Sequence, residues 1–156
     1  MIVVCHSLGA FYSRVYTSRH PKLVKGVVML DPRIPSHVDE FFASKAFEDV
    51  KRRYDVRTLH GSDFALYYVF KTIVSNESVV EGKSFPLSIP ILDIMAQVGP
   101  YDKASDNARF KSDQRIFVKQ GTNRTLIYAQ GSSHDIPKSN PKFVIHQINA
   151  FYKSYH

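Results

Sequence analysis

Three residues able to act together on a carbonyl group stand far apart in this 156-residue chain: Ser7, Asp102 and His134. A serine hydroxyl is a poor nucleophile at neutral pH. It needs an imidazole to take its proton and a carboxylate to hold that imidazole in the correct tautomer. Ser7 lies in Cys5-His6-Ser7-Leu8-Gly9, which follows the apolar run Ile2-Val3-Val4 and opens a helical pattern. That context reads as a nucleophile elbow, a sharp strand-to-helix turn that lifts the serine hydroxyl above the sheet and aims the Leu8 N–H at a developing oxyanion. The strained turn needs small neighbours. Gly9 supplies one, and Cys5 stands where glycine is usual. A serine in an ordinary strand-to-helix loop is the plain alternative for these five residues alone.

Asp102 follows Gly99-Pro100-Tyr101, and His134 sits in Gly131-Ser132-Ser133-His134-Asp135. Taken singly, each is an ordinary turn or cap residue. Taken together they follow strand ends, where open α/β sheets bind ligands, and they run in the order serine, acid, histidine expected when the elbow comes first. Asp31, after the second apolar run, is the reserve acid; Asp106 falls inside the next helix, and Asp135, adjacent to the base, reads as structural. His6 reads as packing or support. His20, His37, His60, His146 and His156 show no paired ligand spacing, so neither a metal nor a cofactor is expected.

The elements that must position these groups are legible as periodicities. Leu8, Phe11, Tyr12, Val15 and Tyr16 make one apolar helical stripe that Pro21 stops. Gly26–Leu30 and 89–96 are short apolar runs typical of strands buried on both faces of a parallel sheet, and 125–129 forms a last strand. A weaker helix covers 104–118. Asn140-Pro141 is a cap and first-turn pair, opening a final helix with Val144, Ile145, Ile148, Phe151 and Tyr152 on one face. Between the second and third strands, 38–54 and 64–74 read as two amphipathic or apolar helices with no strand beside them. The chain therefore divides into an elbow strand, helix and strand (1–35), a helical cap insertion (36–88) and the rest of the core (89–156), forming one domain overall.

Composition bounds the rest. The chain is the size of one domain. No apolar run is long enough for a membrane helix and no leader pattern opens the sequence, so a cytoplasmic protein without a membrane span is the default expectation. One cysteine rules out an internal disulfide framework. The net charge of +7 includes the cluster Lys51-Arg52-Arg53, but the other bases are scattered among acids and no nucleic-acid motif is present. No nucleic-acid partner is expected.

The segment Cys5–Gly9 is similar to the Gly-His-Ser-x-Gly of α/β-hydrolase-fold esterases and lipases, and Arg14 to Pro32 resembles the helix and strand that follow it. Gly131-Ser132-Ser133-His134 and the helix after Pro141 resemble the same family's histidine loop and last helix. The resemblance implies a truncated α/β-hydrolase fold, the C-terminal portion starting at the elbow strand: a mostly parallel sheet of about four strands, flanking helices and a cap. It implies a serine hydrolase of carboxylic esters with Ser7 as nucleophile, His134 as base, Asp102 as acid and the Leu8 N–H as one oxyanion donor. The aromatic insertion suggests a small ester with an apolar group. The family's second oxyanion donor comes from a loop upstream of the elbow, and the elbow here lies within ten residues of Met1. A different reading follows from that: a non-catalytic truncated homologue whose elbow strand, left at the sheet edge, pairs with itself or another chain.

Overall fold

The computed structural model describes residues 1–34, 80 and 83–155. Within them lie β1 (Ile2–His6), α1 (Gly9–Arg19), β2 (Gly26–Leu30), β3 (Ile91–Ala96), α2 (Ala104–Lys119), β4 (Arg124–Ala129), α3 (Ile136–Ser139) and α4 (Pro141–Ser154). The chain divides into two compact units, Met1–Ile34 with Ser84–His156, and Pro35–Lys83. All the elements named here belong to the first. The helices expected at 38–54 and 64–74, and most of the expected insertion, lie outside the described residues.

The four strands form one parallel sheet in the order β1-β2-β3-β4, as the unalternating apolar runs predict. Every residue of β2 and β3 is buried, because helices cover both faces of these central strands. Alternation sorts their side chains. Val27, Met29 and Ile91 join Ala10 and Val24 on the α1 side and Phe117 of α2, while Val28, Leu30, Leu92 and Ile94 join Ile136 of α3 and Val144 and Phe151 of α4. Among the described residues β1 and β4 each pair on one side only, and these outer strands are correspondingly half-buried. Among the described residues α3 is the one short helix that periodicity does not reveal; a single turn is too brief to carry a stripe. Among the described residues no helix is long and apolar enough to cross a membrane.

Gly26 opens β2 opposite Ile2 because nothing larger fits there. A Cβ at this position would lie 2.6 Å from Cε1 of Phe151 and 3.1 Å from Cδ1 of Ile2. Gly26→Ala is expected to cost about 1–3 kcal/mol through overpacking between β2 and α4. A lowered Tm in thermal unfolding is the measurement; an unchanged Tm would mean the Phe151 ring yields freely.

Because all four strands run the same way, the turns after β1, β2, β3 and β4 gather at one end of the sheet. Hydrogen bonds tie them together there. The Ser7 N–H donates to Leu30 O (3.0 Å), the Asp31 N–H to Ile94 O (2.7 Å), the Arg33 N–H to Ser7 O (3.1 Å) and the Val98 N–H to Ser132 O (3.0 Å).

Candidate active site

Ser7 occupies the turn between β1 and α1 with φ of 50°, in the left-handed region. Such a conformation costs a non-glycine residue about 1–3 kcal/mol and persists only when neighbours hold it. Here the Ser7 carbonyl accepts from both the Ala10 and Arg33 N–H groups. A Cβ at Gly9 would sit 3.3 Å from the Cβ of Cys5, a tight contact between helix and strand that glycine avoids. The Cys5 thiol packs inward and donates to Ser13 Oγ at 3.4 Å. Burial pushes that thiol up to about 11, so it is no nucleophile at neutral pH. The Leu8 N–H makes no hydrogen bond with the described residues.

His134 lies in the loop after β4. Gly131 gives this loop its left-handed turn, at φ of 72°, and donates its N–H to Gln97 Oε1 at 2.6 Å. The imidazole Nε2 stands 3.0 Å from Ser7 Oγ and Nδ1 stands 2.7 Å from Asp31 Oδ2. A carboxylate can only accept from a neutral imidazole, so Nδ1 carries the proton and Nε2 is left to accept from the serine hydroxyl. His6, the residue before Ser7, turns back onto this loop rather than away from it. Its Nε2–H donates to the His134 carbonyl at 2.9 Å, and the two rings lie 4.8 Å apart. The Ile136 N–H donates to the same carbonyl, also at 2.9 Å. Phe110 of α2 closes the other side of the imidazole edge-on, 6.0 Å away.

The acid facing His134 is Asp31 and not Asp102. Asp31 follows β2 directly, has φ of 42°, and is completely buried. Its Oδ1 accepts from the Ala96 N–H at 3.1 Å and from Gln114 Nε2 at 3.0 Å, which turns Oδ2 to the imidazole. Asp102 is exposed. Its loop is pinned one residue earlier, where Asn107 Oδ1 accepts from the Tyr101 N–H (2.9 Å) and Asn107 Nδ2 donates to the Tyr101 carbonyl (2.6 Å), so the next side chain is delivered to solvent. Asp106 lies in the first turn of α2 and Asp135 precedes α3. Tyr101 meets Arg33 Nη2 through its hydroxyl at 2.6 Å and Phe110 edge-on at 5.7 Å. Arg33, Tyr101, Phe110 and Gln114 are the site neighbours that sequence reasoning missed. For Gln114 a signal existed: an amide at the i+4 position between Phe110 and Phe117 on one helix face.

No protein-family model matches the chain, and no curated protein matches it. Solved structures do. A probable hydrolytic enzyme from Pseudomonas aeruginosa matches with a TM-score of 0.64 at 13% identity, over 95% of this chain and 62% of its own. A marine microorganism esterase matches at 0.55 and 14%, over 96% of this chain and 69% of its own. Tomato methylketone synthase I matches at 0.57 and 15%, over 100% of this chain and 72% of its own. Their named activities differ, so the likeness speaks for architecture and not for one reaction. With a parallel sheet in sequence order, helices on both faces and likeness along nearly all of its length, this chain has the α/β-hydrolase fold and spans 62% to 72% of the length of these matches.

Proposed function

We propose that this chain is a serine hydrolase acting on carboxylic esters, with Ser7 as nucleophile, His134 as general base and Asp31, in place of Asp102, as the acid that orients it. The observation that carries the reading is the continuous path Ser7 Oγ, His134 Nε2, His134 Nδ1, Asp31 Oδ2, with steps of 3.0 and 2.7 Å. In this reading Ser7 Oγ attacks the ester carbonyl carbon as its proton passes to His134 Nε2. The Leu8 N–H donates to the resulting oxyanion. Collapse breaks the bond to the alcohol oxygen, which leaves with the proton from Nε2, and an acyl-serine remains. Water then gives a proton to the same nitrogen, attacks the acyl carbon, and releases the acid as Ser7 regains its proton.

Among the described residues the Leu8 N–H is the donor placed at the elbow. In such sites the loss of one oxyanion donor lowers turnover by about 10²–10³ without ending it. An apolar acyl or alcohol group belongs to the proposal on the strength of the aromatic residues at 64–74, which lie outside the described residues. Two of the compared proteins carry names of the same chemistry, a hydrolytic enzyme and an esterase.

A second reading, a homologue that acts by pairing, is favoured by β1 having β2 as its one strand partner among the described residues, with Val4 44% exposed. A fluorophosphonate probe separates the two. Folded protein is expected to take the label on Ser7, seen by mass on the peptide containing it, and Ser7→Ala is expected to take none. Folded protein that stays unlabelled while eluting as a dimer would replace the hydrolase reading with the pairing one.

A further inference from the structure

We propose that Gln114 is a positioning residue whose amide fixes the plane of the Asp31 carboxylate, so that Oδ2 faces His134; this deepens the hydrolase reading and rests on it. Gln114 lies on the inner face of α2 between Phe110 and Phe117, and none of it is exposed. A primary amide in an apolar layer is a poor choice for stability unless both of its ends are bonded. Here one end is not. Nε2 donates to Asp31 Oδ1, whereas Oε1 has no hydrogen-bond partner among the described residues. Leucine or methionine at this position would fill a similar space without an unbonded oxygen. What glutamine adds is one N–H at one oxygen of the buried acid.

That N–H matters because of how Asp31 is held. The Ala96 N–H reaches Oδ1 from β3, and Gln114 reaches the same oxygen from α2. With the backbone donor alone, the carboxylate can swing about that single bond. Two donors from different elements leave it one orientation, with Oδ2 at 2.7 Å from Nδ1. The neighbouring strand offers a contrast. Asp93 of β3 is as fully buried as Asp31, yet neither of its oxygens has a hydrogen-bond partner among the described residues. Donors are concentrated on the carboxyl that meets the imidazole and absent from the one that does not.

The test uses Gln114→Leu and Gln114→Glu in the full chain, read in two ways. Against an activated p-nitrophenyl ester, Gln114→Leu is expected to lower kcat by about tenfold to a hundredfold with KM unchanged, as a misplaced orienter does. Its melting temperature is expected to stay level or rise, because the unbonded Oε1 is gone. Gln114→Glu is expected to keep a larger share of the wild-type kcat measured at the same pH when the pH is low, where the introduced carboxyl is protonated and can donate to Oδ1, and to lose that share as pH rises. A residue that only fills space would give neither the pH dependence nor the split between kcat and KM. The second readout is the far-downfield proton resonance of the His134 Nδ1–H to Asp31 bond. Wild type is expected to show it and Gln114→Leu to lose or broaden it. If the wild type does not turn over ester or take the probe, the hydrolase reading falls, and the resonance alone still decides on Gln114. An unchanged resonance in Gln114→Leu overturns the proposal.

Discussion

Asp31→Asn is expected to lower kcat on an activated ester by about 10⁴, while Asp102→Asn changes it less than about twofold. The size follows from the geometry around Oδ1. In the variant the amide oxygen still has the Ala96 and Gln114 N–H groups to accept. Its NH2 therefore takes the place of Oδ2 and points at His134 Nδ1. An NH2 can only donate, so Nδ1 must accept and the ring proton moves to Nε2. The nitrogen 3.0 Å from Ser7 Oγ is then blocked from taking the serine proton. Folding is expected to survive, since asparagine tolerates the left-handed backbone that Asp31 adopts at φ of 42°. Steady-state kinetics of both variants check it. A collapse of kcat in Asp102→Asn with activity kept in Asp31→Asn would reverse the assignment of the acid.

Asp93→Val is expected to raise stability at neutral pH by about 1–3 kcal/mol, the cost of keeping an unbonded polar group buried. Asp93 sits in the middle of β3, faces the same side as Met29, and is fully buried with no partner on either oxygen among the described residues. Burial, and next the negative charge of Asp31, hold its carboxyl well above the usual value of 3.8. The folded chain thus keeps a proton that the unfolded chain gives up above that value. Stability from this group is whole below about pH 3.8 and falls as pH rises toward the folded-state value. Asp93→Asn should flatten that slope while leaving an unbonded amide in place. Asp93→Val should remove both costs, and its β-branched side chain suits a strand. Chemical denaturation at pH 4 and pH 7 measures the effect. A valine variant less stable than wild type at pH 7 would mean that Asp93 has a bonding role.

The four strands and the three longer helices were open to reading because each is a period or an apolar run bounded by Pro, Gly or a cap. β2 falls on the expected residues, and α2 ends one residue past the expected bound. That Ser7 and His134 stand together was open to reading for a related reason: each sits in a short motif whose local backbone demands small neighbours. The acid was not. Any carboxylate after any strand of a parallel sheet arrives at the same end, and which one meets the imidazole depends on loop conformation. Asn107 holding Tyr101 and the left-handed turn at Asp31 decide that question, and neither is written as a period. Gln114 and Asp93 each break an apolar pattern by one polar residue. In sequence terms such a break marks a place where packing has been given up, and here both breaks lie beside the Asp31 carboxylate or within its field.

With Asp31 as the proposed orienter, Ser7 and its acid would share a single strand-helix-strand unit of thirty residues, Ile2 to Asp31, tied by direct backbone bonds. The stretch from Gly99 to Lys103 is thereby released from proton chemistry. It becomes a graft site, where length and side chains can be varied in a library to reshape the rim without retuning the reacting groups.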